Sequence, residues 1–254
     1  MNHLKNITDK ELKQGIKEFL ETAPEIYMPS VSVDTVIFGF NNDKLKVLVL
    51  RFGNTSYFVL PGGYIRKDEN LDDAALHILQ ERTGLQNIYL EQFYTSGNIN
   101  RLHEVTPKDI VEKITGRLPN SNWFNQRFIS VCYYALIDDT KVIPQPAPFF
   151  TEFKWVDVTR VPKLLYDHNL IIKKALSRLQ ADLDEKLVGF NLMSETFTMN
   201  ELQKLYEAVH QKKFVRTNFQ RKMLNLDVLE RLEKHYSGKS HKAPYLYRFA
   251  ESKK

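Results

Sequence analysis

Apolar residues recur at helical spacing in five stretches of the chain: 8–22, 71–83, 167–183, 199–210 and 217–226. Side chains three and four positions apart share one face of a helix, so each stretch predicts an amphipathic helix. Thr8 with Glu11, and Thr198 with Glu201, have the spacing of a capping box and mark two helix starts. The stripe of the third stretch consists of Leu170, Ile171, Ala175, Leu176 and Leu179.

Runs rich in β-branched and aromatic residues predict strands between these helices. Asn41-Asn42-Asp43 separates two such runs and predicts a hairpin. The order of strands, helix, strands, helix favours an α/β/α sandwich with a mixed sheet over a doubly wound sheet. After it, a helix, a turn, a helix, a strand, a loop and a strand form the pattern of a winged helix-turn-helix. The predicted strands are 31–40, 44–52, 57–60, 88–95, 127–137, 149–158, 229–233 and 244–249.

The predicted fold class is therefore α+β, in three parts. Residues 1–26 form a helical extension, 27–186 the sandwich, and 187–254 the winged helix. The C-terminal helix of the winged helix is expected to bury Phe219, Met223 and Leu226. The long connection at 98–126 contains a predicted short helix at 107–115, and Trp123 within it is expected to be exposed. Connections of this length are uncommon unless they are functional, so three roles stay open: a lid, a dimer contact or a plain insertion.

Composition limits the setting of the protein. No apolar run approaches the roughly 20 residues that span a bilayer, and residues 1–14 have no signal-peptide core. We therefore expect a soluble, cytoplasmic protein without a membrane partner. The single cysteine, Cys132, lies in a predicted buried strand and is more simply a core residue than a nucleophile.

Positive charge is concentrated at the C-terminal end. Residues 191–254 contain 13 Lys+Arg and 7 Asp+Glu, which gives a net charge of +6, whereas the whole chain carries +5. An excess confined to one segment indicates an anionic partner for that segment, and nucleic acid is the first candidate. The alternative is a solvated basic tail.

The stretch Pro61–Leu85 resembles the Nudix box, the loop–helix motif of enzymes that hydrolyse nucleoside diphosphates linked to other groups. His77, Ile78 and Arg82 replace the Arg, the first catalytic Glu and the last Glu of the motif. Asn70 can cap this helix, and Gly84 can end it. The matching positions are Gly63, Glu69, Leu79, Glu81, Gly84 and Leu85.

The departures from the motif remove its metal ligands. Family members use Glu side chains at the positions of Ile78, Glu81 and Arg82 to bind Mg²⁺, which requires oxygen ligands. In this chain the trio has no net charge, so we expect no metal site, no cofactor and little or no hydrolysis. A pocket of this fold can still bind a small molecule. The predicted ligand contacts are Arg51, Phe58, Tyr64, Arg66, Glu81, Arg82, Arg127 and His168, with Arg101 and Asp167 as further candidates.

The C-terminal segment resembles the winged helix of NrtR-type, Nudix-related transcription regulators. The resemblance lies in Leu-Tyr-Glu at 205–207, Asn-Phe-x-Arg-Lys at 218–222 and Leu-Tyr-Arg-Phe at 246–249. Members of that family respond to ADP-ribose or related nucleotides, or to sugars such as arabinose. Asn218 and Arg221 suit base edges in the major groove, and the other predicted residues suit the DNA backbone, with the minor groove as the alternative for the three wing residues after 238. Those other predicted DNA contacts are Thr198, Asn200, Arg216, Thr217, Lys222, Lys239, His241 and Lys242.

The sequence thus predicts a ligand-responsive regulator that binds a duplex operator as a homodimer. Its effector is a sugar, a sugar phosphate or an ADP-ribose-like nucleotide, and the neutral trio favours the sugars. Two alternatives stay open. One is a divergent Mg²⁺-dependent Nudix hydrolase with an accessory basic domain, and the other is a nucleotide-sensing module that docks a protein partner.

Overall fold

A computed structural model describes residues 8–86, 88–101, 106–116, 123, 126–142, 149–185, 192–234 and 243–250. In the first part of the chain, helices cover both faces of a seven-stranded mixed sheet. The strands are β1 (Tyr27–Asn41), β2 (Lys44–Phe52), β3 (Phe58–Val59), β4 (Gly62–Arg66), β5 (Glu91–Ser96), β6 (Ile129–Ile137) and β7 (Phe150–Asp157). The helices are α1 (Asp9–Ile26), α2 (Leu71–Thr83), α3 (Pro107–Thr115) and α4 (His168–Glu185).

Strand β1 organises the sheet because it pairs with three other strands. It runs antiparallel to β2 and β4 and parallel to β6. Asn42 and Asp43 both adopt positive φ in the turn to β2, the backbone that a tight hairpin requires. The predicted hairpin and the mixed sheet are therefore confirmed.

Helices α1 and α3 pack together against one end of the sheet. Leu12, Ile16 and Leu20 of α1 are buried in a cluster with residues of β2, β3 and α3. The predicted capping box is present, since Thr8 Oγ1 accepts from the Glu11 backbone N–H and Glu11 accepts from that of Thr8. The predicted short helix in the 98–126 connection forms α3.

The second part of the chain is a winged helix. It consists of α5 (Met199–His210), α6 (Arg216–Asn225) and a three-stranded sheet in the order β8–β10–β9. Leu202, Leu205 and Tyr206 of α5 pack on Phe219 and Met223 of α6. The strands are β8 (Phe197–Thr198), β9 (Leu229–Lys234) and β10 (Tyr245–Phe249), and sequence pattern had predicted the last two.

The two parts are joined by direct contacts between α4 and α5. Tyr206 Oη donates to the carbonyl of Leu183 at 2.9 Å, and Gln180 Nε2 donates to that of Val209 at 2.9 Å. Ile171 and Leu179 of α4 belong to the same buried cluster as the α5 core residues. The end of α4 therefore forms part of the support of the winged helix.

Several expectations about single residues were wrong. Trp123 is only 2% exposed, because it packs on α1 and on the aromatic residues beside it, whereas the sequence predicted exposure. Leu170 and Leu226 are 45% and 38% exposed and do not belong to the helix stripes assigned to them. Asn70 occupies the N-cap position of α2, but its side chain donates to Asp73 instead of capping the helix.

Gly62 and Gly63, in the loop part of the Nudix box, form the start of strand β4. Gly62 pairs with Asp34 of β1, and a Cβ at Gly62 would lie 2.6 Å from the Val33 carbonyl oxygen. A Cβ at Gly63 would lie 2.9 Å from Ile78 Cγ1, which brings α2 against β4. Absence of a side chain lets β4 lie this close to β1 at Gly62 and to α2 at Gly63.

Candidate functional site

A cavity of about 220 Å³ lies between α1, α2 and the sheet. Eight helices and strands of the first part of the chain contribute residues to it: α1, α2, α4, β1, β2, β3, β4 and β7. Its polar residues are Ser32, Asp34, His77, Glu81, Arg82, Arg101 and His168, and the remaining lining is largely aromatic.

Aromatic rings form one wall of the cavity. Phe19 of α1 contacts Tyr27, Tyr64 and Phe149, with ring centroids 4.8–5.7 Å apart. Trp123 lies edge-on to Tyr64 at 5.4 Å and supports it from behind. Flat apolar rings of this kind can stack on a base or on the apolar face of a sugar.

A buried ionic network forms the floor. Arg101 is placed between two carboxylates: its Nη2 lies 3.3 Å from Asp34 Oδ2 and 3.1 Å from Asp167 Oδ1. Ser130 Oγ donates to Asp34 Oδ2 at 2.6 Å, and Ser96 Oγ donates to Asp167. Burial favours the neutral form of Asp34, but His168, Arg101 and Ser130 outweigh it, so the pKa of Asp34 lies well below its ordinary value. Asp34 is therefore an anion inside the cavity.

His168 begins α4 and faces Asp34 across the floor. Its Nδ1 accepts a hydrogen bond of 2.9 Å from the Leu60 backbone N–H, so the proton of the neutral ring resides on Nε2. Nε2 lies 3.5 Å from Asp34 Oδ1. The ring thus presents an N–H donor towards a carboxylate oxygen.

The Nudix helix α2 contributes one apolar and two charged side chains. Ile78 is 1% exposed and packs against Gly63. Arg82 is largely buried, donates from Nε to the Gly62 carbonyl at 3.3 Å, and lies 5.4 Å from the Phe150 ring centroid. Burial lowers the pKa of Arg82, and the charge of Glu81 opposes that change. Among the described residues, no group of three or more His, Cys, Asp or Glu is arranged to hold a metal ion.

The cavity brings together half of the predicted ligand contacts. Tyr64, Glu81, Arg82 and His168 line it, as does Arg101. The lining does not include Arg51, Phe58, Arg66 or Arg127. Arg51 is paired with Glu152 and stacks on Phe58, Arg66 lies 3.5 Å from Glu81, and Arg127 donates to the Gly97 carbonyl.

Sequence reasoning missed Asp34, Phe19 and Tyr27. Asp34 had a visible signal, since it is the only charged residue in the apolar run of residues 31–40. Phe19 had none, because its spacing also fits the buried stripe of α1. Its position over the cavity depends on how α1 crosses the sheet.

Helix α6 presents a polar, cationic face. Arg216, Thr217, Asn218, Arg221 and Lys222 are all exposed, while Phe219 and Met223 point into the core. Asn200 on α5 is also exposed, and Thr198 Oγ1 accepts from the Glu201 backbone N–H in the predicted capping box. Lys239, His241 and Lys242 lie outside the described residues.

A mixed-sheet domain with a Nudix-type loop and helix, followed by a winged helix with an exposed basic helix, defines a class of ligand-sensing DNA-binding proteins. Family models agree with this division. The NUDIX domain matches residues 28–179, and the NrtR DNA-binding winged helix domain matches residues 189–249. The chain belongs to the NrtR-type family of Nudix-related transcription regulators.

Individual relatives support this assignment. The chain is 30% identical over 230 residues to the ADPR responsive transcriptional repressor NtrR of Acinetobacter baylyi, covering 87% of this chain and 82% of the relative. Its fold resembles the crystal structure of Shewanella oneidensis NrtR complexed with a 27mer DNA, with a TM-score of 0.63 and 27% identity over 87% and 93% of the two chains. A MutT/nudix family protein from Enterococcus faecalis shares the fold at TM-score 0.63 and 20% identity, over 96% and 99% of the chains.

These matches confirm the predicted family, the α+β fold class and the function of a ligand-responsive, DNA-binding transcription regulator. Duplex DNA and a small-molecule effector are its partners. No helix among the described residues is long and apolar enough to cross a membrane. The residue assignments for ligand and DNA contacts stay predictions.

Proposed function

We propose that this regulator senses ADP-ribose, or a related molecule that contains a sugar, in the cavity of its Nudix domain. The observation that carries the proposal is the aromatic and charged cavity at the start of α4, a helix whose other end supports the winged helix. The relative from A. baylyi is named for its response to ADPR, which makes ADP-ribose the first candidate. Tyr64 and its neighbours would stack on a ring, and Arg82 would face a phosphate.

A free sugar or sugar phosphate is the second candidate. A cavity of about 220 Å³ is below the range of about 300–1,000 Å³ that is usual for drug-sized ligands, so it suits one sugar ring better than a whole dinucleotide. In either case we expect binding without hydrolysis, because Ile78 and Arg82 supply no oxygen ligand for Mg²⁺. A thermal-shift screen of ADP-ribose, NAD, pentoses and sugar phosphates separates the candidates, since a ligand that binds the folded state raises the melting temperature.

We further propose that α6 reads the operator. Asn218 and Arg221 would contact bases, Arg216, Thr217 and Lys222 would contact phosphates, and Thr198 and Asn200 would contact the backbone from α5. A homodimer placing two copies of α6 on two half-sites would account for operator recognition, with Lys239, His241 and Lys242 as wing contacts. We retain 27–186 and 187–254 as the limits of the two domains and the cytoplasm as the location.

Replacement of Arg221 by Ala tests this assignment. Arg221 is exposed and does not support the core, so the variant should fold normally while losing about 1–3 kcal/mol of discrimination between bases. Selection of duplexes from a random pool by the wild type and the variant measures this loss. Lys163→Ala removes one positive charge from the Nudix domain instead and serves as the matched control. Identical selected sequences for wild type and Arg221→Ala would show that α6 is not the reading helix.

A further inference from the structure

One carboxylate oxygen in the cavity is left without an ordinary hydrogen bond. Asp34 uses Oδ2 for both Arg101 and Ser130, at 3.3 and 2.6 Å. Oδ1 faces Nε2 of His168 at 3.5 Å, which is longer than the 2.7–3.2 Å of a normal N–H···O bond. Among the described residues, no shorter hydrogen bond to Oδ1 is present, although the long contact with His168 helps to keep the pKa of Asp34 low. Asp34 lines the cavity, so Oδ1 can accept a hydrogen bond from a molecule that enters it.

The Nε2–H group of His168, which faces this oxygen, likewise has no hydrogen bond of ordinary length to it. His168 is held by the Leu60 backbone N–H on Nδ1, which fixes the neutral ring with its proton on Nε2. An acceptor-only oxygen and a donor-only N–H thus face each other across a gap at the cavity floor. A hydroxyl group can donate to the first and accept from the second at once, whereas a phosphate oxygen would be repelled by the carboxylate.

We infer that Asp34 and His168 bind one hydroxyl of a sugar ring in the effector. The hydroxyl donates its proton to Asp34 Oδ1 and accepts a hydrogen bond from His168 Nε2–H. Arg101 and Ser130 hold the carboxylate in place from its other oxygen, and Leu60 holds the imidazole. Beside the floor, Tyr166 lies 5.0 Å from the His168 ring and closes this corner of the cavity. This inference rests on the proposal that the cavity is the sensor site.

The pair sits where binding can be transmitted. His168 is the first residue of α4, and the 18 residues of this helix span about 27 Å to the end that contacts α5. A hydroxyl inserted between Asp34 and His168 would change the distance between β1 and the start of α4. The protein would then bind the ligand more tightly with α4 in one position than in another. A response to the ligand requires this difference in affinity.

Two substitutions test the pair in the full chain. Asp34→Asn keeps the shape but removes the carboxylate. His168→Asn retains an acceptor for the Leu60 N–H while removing the Nε2 donor, so it separates ligand contact from structural support. The wild type and both variants are titrated calorimetrically with ADP-ribose, D-ribose and L-arabinose. The probe that binds the wild type shows whether the effector is a nucleotide-linked sugar or a free sugar.

We expect both variants to bind that probe at least about tenfold more weakly, because each loses a buried polar contact. Circular dichroism and DNA affinity should show that His168→Asn stays folded. If the binding probe is a pentose, one of its monodeoxy forms should bind wild type and His168→Asn equally. Unchanged affinity in His168→Asn would overturn the inference and leave the proposed function standing. Failure of the wild type to bind any of the three probes, together with no thermal shift from NAD or sugar phosphates, would overturn both.

Discussion

At the residue scale, two side chains decide what the Nudix helix can do. Ile78 has replaced a metal-binding Glu with a buried apolar side chain, and it packs against the bare backbone of Gly63. Arg82 occupies the position of another metal-binding Glu, and its Nε donates a hydrogen bond to the Gly62 carbonyl. Both residues tie α2 to β4. The positions that serve chemistry in the related hydrolases therefore serve packing in this chain.

Restoring the carboxylate at position 78 should consequently destabilise the protein. Ile78→Glu would bury an unpaired charge against β4, and we expect a loss of more than about 2 kcal/mol in the free energy of unfolding. Ile78→Val removes one methyl group without charge and should cost about 0.5–1.5 kcal/mol. Chemical denaturation of the three proteins measures both values. Equal stability of Ile78→Glu and wild type would show that this position tolerates a carboxylate.

Glu207, in the last turn of α5, provides a second residue-scale prediction because it binds the turn that leads to α6. Hydrogen bonds from Lys213, Gln203 and the Phe214 backbone N–H lower the pKa of Glu207 to about 2, from an ordinary 4.5. A depressed pKa stabilises the folded state above pH 4.5, and this contribution disappears as the pH falls towards 2. Glu207→Gln should therefore lower the melting temperature at pH 7.

The melting-temperature difference between Glu207→Gln and wild type should shrink between about pH 4.5 and pH 2, the interval over which the carboxylate takes up a proton. Thermal unfolding followed by circular dichroism across this range provides the measurement. A difference that stays constant down to pH 2 would contradict the assigned hydrogen bonds. Lys204→Gln, which removes an exposed ion pair with Asp43, serves as the control.

At the element scale, helix α1 packs into the core of the Nudix domain although it precedes the limits retained for that domain and the matched family segment. Its buried residues share a cluster with β2, β3 and α3, and Phe19 reaches the cavity. It also continues through Pro24 to Ile26, further than the apolar pattern predicted. The extension thus builds both the core and the binding site.

This role predicts that α1 unfolds together with the domain. Ile16 is fully buried, and Ile16→Ala should cost about 2–5 kcal/mol in the free energy of unfolding. Lys17→Ala, one position along and largely exposed, should change it by no more than about 0.5 kcal/mol. Chemical denaturation again supplies the comparison. A stability loss of the same small size in both variants would place α1 outside the cooperative unit.

Elements were easier to predict from the sequence than their contacts. Periodicity, capping boxes and turn residues are local signals, so α3 and the β1–β2 hairpin appeared where expected. Burial of Trp123 and exposure of Leu170 depend on which elements meet in space, and a local pattern does not contain that information. The same reason explains the cavity: His168 and Tyr64 were predicted, whereas the position of Phe19 over the cavity became visible only once α1 was placed. Asp34 had a local signal, the only charge in an apolar run, but its partners Arg101 and His168 come from distant parts of the chain.

At the scale of the whole molecule, the continuity between its two parts matters most. Helix α4 begins at the cavity floor and ends against α5, and Tyr206 ties the two helices through a buried hydrogen bond. The winged helix is thus supported directly by the sensor domain rather than by a linker alone. Such an arrangement allows ligand binding to change the position of α6. It does so if the protein has two positions of α4 and α6 and binds the ligand more tightly in one of them.

The affinity of the full-length wild type for its operator, with and without effector, tests this account most directly. A duplex selected from a random pool would be titrated at fixed salt, because protein–DNA affinity depends steeply on salt concentration. With ADP-ribose, or the sugar found to bind, at saturation, we predict that the dissociation constant for DNA changes by about 5–150-fold. A dissociation constant that is identical with and without a saturating, demonstrably bound effector would contradict the account.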